Sequence, residues 1–197
     1  MNLKRVCEDI RSLKIQGAEN VSTAALEATY DYIKKTKYDT KFLLQLELEH
    51  ARIELVKTRS TEPSMRNYLE FVINYSKSLE PKKDFKQKLL SRILLLIKEK
   101  KNIRTKIIIN GESIIKNNYI IYTHCHSGTV TAIIKAAHKT KKIEVHNTET
   151  RPLFQGRKTA KELVEAKIKV KHYIDSAVIE AMKNEDRIVE LLAEMVF

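Results

Sequence analysis

Three short segments in the second half of the chain carry side chains capable of chemistry. They are Thr123-His124-Cys125-His126-Ser127-Gly128-Thr129, Asn147-Thr148-Glu149-Thr150-Arg151-Pro152 and Asp175-Ser176-Ala177. Each follows a stretch read as a strand: the short apolar, β-rich run Tyr119 to Tyr122, then Ile143 to Val145, and Val170 to Ile174. In an open parallel sheet the binding crevice lies outside the carboxyl ends of the strands, so residues at these points are the ones to inspect. Cys125 lies just before a helix start with a histidine on either side, a setting that lowers a thiol's pKa. Such a thiol can act as acid, base or nucleophile near neutral pH. The competing reading is a small buried apolar residue, which is how most free cysteines behave. Cys7, on an amphipathic helix, is read that way.

The neighbours of Cys125 divide between anion binding and structure. His124, Cys125 and His126 are consecutive, point to opposite faces of an extended segment and have no spaced second ligand pair, so no metal is assigned. Ser127, Gly128 and Thr129 offer amides and hydroxyls at a helix N-terminus, which is an anion site. Arg151 is placed to grip the same or a second phosphate in a fork. Against that stands a structural ion pair with Glu149.

The elements that must position these residues follow from periodicity. Beyond Tyr119, strands alternate with helical stretches: one through Ile133, Ile134 and Ala137, one from Thr159 to Ala166, and one from Ser176 to Met182. That alternation predicts parallel βαβ units with right-handed crossovers. A further strand begins near Ile188, and a sheet of this kind usually has more strands, so the domain is expected to be incomplete at Phe197.

The first half reads as helices. Ser22 and Thr23 are read as a cap for a segment bearing Val21, Ala25, Ala28 and Tyr32. A second helix runs from Thr40 with Leu44, Leu48, Ala51 and Leu55 on one face, and Pro63 opens a third with Tyr68, Phe71, Val72 and Tyr75 along one side. Pro81 breaks the chain before a fourth helix marked by Phe85, Leu89, Ile93, Leu96 and Ile97. A turn is read at Asn110-Gly111, dividing a helical domain, 1–110, from a Rossmann-like α/β domain, 111–197, with helices on both faces of its parallel sheet.

Composition narrows the setting. With 43% apolar residues over 197 positions the chain can bury a core, and no apolar run approaches the roughly 20 residues needed to cross a bilayer. The charged N-terminus and the two widely separated cysteines are those expected of a cytoplasmic protein with reduced thiols. A net charge of +12 attracts phosphates on RNA, a nucleotide or a small sugar, although clusters such as Lys34-Lys35, Lys82-Lys83 and Lys98 to Lys101 read as solvated helix faces.

Several motifs in order give the sequence a family likeness. The three strand-end segments, with Gln155-Gly156-Arg157 and Thr159-Ala160, resemble the family that unites three groups. These are the alpha, beta and delta subunits of translation initiation factor 2B, the methylthioribose-1-phosphate isomerases and the archaeal ribose-1,5-bisphosphate isomerases. Ile10 to Ala18 and Thr58 to Pro63 resemble the family's two N-terminal signatures.

In the isomerases the resemblance makes Cys125 catalytic, paired with an acid from a later strand end, where Glu194 of Leu192-Ala193-Glu194 takes the place of the usual aspartate. Together they open the furanose and move a proton between C1 and C2, a reaction for which no cofactor is expected. The 1-phosphate blocks spontaneous ring opening, so an acid at the ring oxygen is required. The resemblance further implies substrate or phosphate contacts from Arg11, Gly17, Arg59, Ser127, Gly128, Glu149, Arg151, Gln155 and Asp175. The implied ligand is a ribose phosphate, with ribose-1,5-bisphosphate favoured by the run from Thr123 to Ile133 and AMP as a regulatory nucleotide. The implied assembly is a homodimer or hexamer.

Three features depart from the pattern: Gln16 replaces the usual arginine, Ser60 a proline, and the Asn-Lys segment that should follow Glu194 does not occur. Gln16 and Glu194 favour the alternative, a non-catalytic subunit like those of translation initiation factor 2B that recognises initiation factor 2.

Overall fold

The computed structural model describes residues 2–183 and the backbone of 188–190. Backbone contacts divide these residues into two compact units, one of 2–102 and the other beginning at Ile103.

The first unit is helical. α1 (Leu3–Arg11) begins at Asn2, whose side chain accepts from the Lys4 amide, and buries Leu3, Val6, Cys7 and Ile10. α2 (Ala18–Lys35) starts earlier than the sequence suggested, after Gly17 at φ 82°, a conformation that favours glycine. Ser22 is therefore inside the helix, its hydroxyl donating to the Ala18 carbonyl. α3 (Lys41–Val56) is capped by Thr40 as expected, and α4 (Pro63–Ser78) opens on Pro63. The buried stripe of α4 is Met65, Leu69, Val72 and Ser76; of the expected face Val72 is buried, Tyr68 and Tyr75 are half-buried against the core, and Phe71 faces out.

α5 (Phe85–Ile114) packs Phe85, Leu89, Ile93, Leu96 and Ile97 against Leu26, Ile33, Leu44, Leu48 and Val72. Lys100 on this helix is no solvated lysine: it is 4% exposed, with Nζ 3.0 Å from both Glu19 Oε2 and Ser22 Oγ and 4.3 Å from the Tyr68 ring centre. A buried ammonium persists only when so compensated.

The second unit is a parallel sheet of β1 (Ile120–Thr123), β2 (Glu144–Thr148), β3 (Lys169–Tyr173) and β4 (Ile188–Glu190), in the order β3-β2-β1-β4. α6 (Gly128–His138) and α7 (Gln155–Glu165) pack Ile133, Ile134, Ala137 and Leu163 against Ile121 and Val145 on one face. Register pairs Glu144 with Lys169 and His146 with Lys171, placing these residues on the other face. There His146 Nδ1 is 2.6 Å from the Ala181 carbonyl of α8 (Val178–Ala181), a short helix preceded by a 3₁₀ turn at Asp175–Ala177. The expected α/β class, with helices on both faces of a Rossmann-like parallel sheet, is thus observed.

The turn read at Asn110-Gly111 is instead continuous α5. Ile133 explains the glycine: a Cβ on Gly111 would stand 2.6 Å from Ile133 Cδ1, so α6 approaches the α5 backbone where a side chain is missing.

Candidate active site

The sheet order puts a switch point between β1 and β4, since β1 is followed by β2 on one side and flanked by β4 on the other. Ligands of open α/β sheets bind outside the carboxyl ends of the strands at such a point. The chain leaving β1 there is Thr123-His124-Cys125.

Cys125 is 2% exposed and sits at φ 65°. That left-handed conformation costs a non-glycine residue energy and requires external support. Two threonines supply it. The Cys125 amide donates to Thr150 Oγ1 at 2.8 Å, and its carbonyl accepts from Thr159 Oγ1 at 2.8 Å. Its thiol donates to Gln155 Oε1 at 3.2 Å.

The thiol departs from the expectation of a lowered pKa. Burial pushes the Cys125 thiol up, outweighing the opposing hydrogen bond from the His126 amide. α6 begins only at Gly128, where Ser127 Oγ accepts from the Val130 amide, so the helix start is spent three residues on. His126 supplies no cation, because burial, with Lys158 and Lys135 nearby, lowers its pKa against the pull of Glu162. Its Nδ1 lies 3.0 Å from Thr159 Oγ1. The resting group is a neutral thiol.

The segment after β2 is held from below and beside. Asp175 accepts from the amides of Thr150 and Arg151, each at 2.8 Å. Burial would raise the Asp175 carboxyl, but those two amides, with His124 nearby, hold it below the usual aspartate range. Glu149 is 5% exposed and accepts from Arg151 Nε at 2.9 Å and Arg157 Nη2 at 3.0 Å. The Arg151 hydrogen bond, reinforced by Arg157 against the cost of burial, keeps Glu149 ionised below its ordinary range. Both guanidiniums are largely exposed and flank the Phe154 ring, at 5.3 Å for Arg151 and 4.0 Å for Arg157. Arg151 therefore makes the ion pair weighed as the alternative to a phosphate contact.

Of the residues singled out in sequence, Cys125, Glu149, Arg151, Gln155 and Asp175 lie in one bonded network after β1, β2 and β3. Ser127 and Gly128 begin α6, where the Gly128 carbonyl accepts from Arg104 Nη2 at 3.1 Å. Arg11 ends α1, Gly17 precedes α2 and Arg59 lies in the turn between α3 and α4, all in the helical unit. Glu194 lies outside the described residues. Among the described residues no group of three or more His, Cys, Asp and Glu is arranged to hold a metal ion.

Sequence reasoning missed Thr150, Thr159 and Asn147 as parts of this network. Asn147, wholly buried, donates to the Gly156 carbonyl at 2.8 Å and accepts from His172 Nδ1 at 3.0 Å. Asn147 falls beyond the expected strand end at Val145, so nothing in the sequence marked it as a buried strand residue.

Fold and site together define an α/β protein with a buried cysteine at the switch point of a Rossmann-like sheet. The chain belongs to the Initiation factor 2 subunit family, which matches residues 14–192. It is 37% identical over 173 residues to ribose 1,5-bisphosphate isomerase of Archaeoglobus fulgidus, covering 87% of this chain and 53% of that protein. The same enzyme of Pyrococcus furiosus is 33% identical over 93% of this chain and 58% of its own length. Methylthioribose-1-phosphate isomerase of Dehalococcoides mccartyi is 32% identical over 90% and 57%. The chain thus spans little more than half the length of these relatives.

Among solved structures, 5-methylthioribose 1-phosphate isomerase of Pyrococcus horikoshii matches with a TM-score of 0.80 at 21% identity, over 97% of this chain and 57% of that one. Translation initiation factor eIF-2B of the same organism matches at 0.75 and 20%, over 96% and 65%. Likeness at that identity shows the shared fold.

Proposed function

We propose that this chain carries the cysteine-bearing half-site of an aldose–ketose isomerase that converts ribose 1,5-bisphosphate to ribulose 1,5-bisphosphate. The observation that carries the proposal is the neutral thiol of Cys125, fixed at the switch point by Thr150, Thr159 and Gln155. A furanose whose anomeric oxygen bears phosphate cannot open by loss of an anomeric proton. Its ring oxygen must be protonated as the bond to C1 breaks, and the acid must still hold its proton near neutral pH. Burial gives Cys125 that property. Hydrogen then moves from C2 to C1 as the C2 hydroxyl becomes a carbonyl, so the reaction is redox-neutral overall. We assign the second proton-transfer role to Glu194, and phosphate contacts to Arg11, Arg59 and the amides of Ser127 and Gly128. Higher identity to the ribose 1,5-bisphosphate isomerase of Archaeoglobus fulgidus than to the methylthioribose-1-phosphate isomerase supports the bisphosphate as substrate.

Gln16, in place of the family's usual arginine, favours a second reading: a non-catalytic subunit like those of the translation factor. Phosphorus NMR of the full-length protein with ribose 1,5-bisphosphate and, separately, methylthioribose 1-phosphate distinguishes these. The expected result is conversion of the bisphosphate with a kcat/KM at least about tenfold higher. The reverse preference would reassign the substrate, and no turnover of either would favour the second reading.

A further inference from the structure

The geometry points to Gln155 as a positioning residue that holds the Cys125 S–H proton and sets the direction in which the thiol points. This rests on Cys125 being the acid of the proposed reaction, and it goes further by naming what keeps that acid poised. The cysteine main chain is gripped at both ends, by Thr150 at its amide and Thr159 at its carbonyl, which leaves the side chain as its adjustable part. The thiol's one donor goes to Gln155 Oε1 at 3.2 Å, within the range for sulfur.

Gln155 is itself firmly placed. It is the first residue of α7, and its neighbour Gly156 donates its amide to the Glu149 carbonyl at 3.1 Å while its carbonyl accepts from the buried Asn147. The Gly156 backbone lies so close to β2 that a Cβ there would fall 1.7 Å from the Thr148 carbonyl oxygen. On the other side Arg157 ties the same turn to Glu149.

A neutral amide suits this task better than a charged group. Its carbonyl accepts the thiol proton in the resting site without competing for full transfer. By bonding the neutral form it favours retention of the proton on sulfur, in the same direction as burial.

The test reads the sulfur directly and does not require turnover. In the full-length protein, infrared difference spectra between wild type and Cys125→Ser isolate the Cys125 S–H stretch. The wild-type band is expected below the frequency of a thiol without an acceptor. Gln155→Leu, which keeps bulk and removes the acceptor, should raise the band and speed alkylation of Cys125 by iodoacetamide roughly three- to tenfold at mildly alkaline pH. Peptide mass spectrometry separates Cys125 from Cys7. Gln155→Glu, which retains an acceptor, should keep the band low. With substrate, Gln155→Leu should lower kcat and leave KM nearly unchanged.

A wild-type band at the free-thiol frequency would overturn the assignment without recourse to any variant, and so would unchanged alkylation in a folded Gln155→Leu. If the band and the alkylation rates behave as expected while wild type turns over no sugar phosphate, Gln155 still positions the thiol and the isomerase reading alone fails.

Discussion

Cys125 and Glu144 lie at opposite ends of the same sheet and are shifted in opposite directions, each by its partners. The Cys125 thiol is raised by burial. At Glu144 burial would also raise the carboxyl, but hydrogen bonds from Lys169, Lys171 and His146 bring it down to about 2. A depressed carboxylate stabilises the fold above its unfolded pKa and loses that contribution as pH falls through the folded one. Unfolding by urea should therefore show a contribution from Glu144, on the order of 2 kcal/mol after allowance for its exposed lysine partners, that disappears between about pH 4.5 and about pH 2. Glu144→Gln should flatten the stability profile across that window. A profile as steep as that of wild type would mean that the lysines contribute nothing there.

Residue identity in sequence was a fair guide to which groups would meet after the strands, since Cys125, Glu149, Gln155 and Asp175 share one network. It was a poor guide to their electrostatics. Thiol acidity depends on burial and on where the helix start is spent, and neither is visible in the run His124-Cys125-His126.

At the scale of elements, α7 shows why the site was only partly legible. The expected start at Thr159 leaves out Gln155-Gly156-Arg157. In the fold that glycine is helical and serves close approach to β2, and the missing turn of helix is the one that carries Gln155. Gly111, read as a turn, is helical as well: a glycine that makes room for a neighbour has the same local signature as one that makes a turn. The strands, by contrast, fall within a few residues of their expected bounds.

Gly156→Ala should then be costly, because the obstructing atoms are backbone of Thr148 and Glu149 and cannot rotate away. A loss of about 2–3 kcal/mol is expected by thermal or urea unfolding, together with faster alkylation of Cys125 as Gln155 is displaced. An unchanged melting temperature would show that α7 does not pack on β2 as described.

At the scale of the molecule, each compact unit has its own apolar core, with Leu26, Phe85 and Leu89 in the helical one and Ile121, Ile134 and Val145 in the α/β one. Among the described residues no helix is long and apolar enough to cross a membrane. Part of the positive charge is committed to internal pairs, Lys100 to Glu19 in the helical unit and Arg151 and Arg157 to Glu149. The proposed sugar-phosphate isomerase activity rests on a single group, the Cys125 thiol. The most direct test is therefore turnover of ribose 1,5-bisphosphate by full-length Cys125→Ser, with binding of the same sugar measured by calorimetry. The expected result is a fall in kcat of about a hundred- to ten-thousandfold while affinity stays nearly unchanged, because the thiol transfers a proton and does not hold phosphate. Turnover within about twofold of wild type in that variant would contradict a proton-transfer role for Cys125.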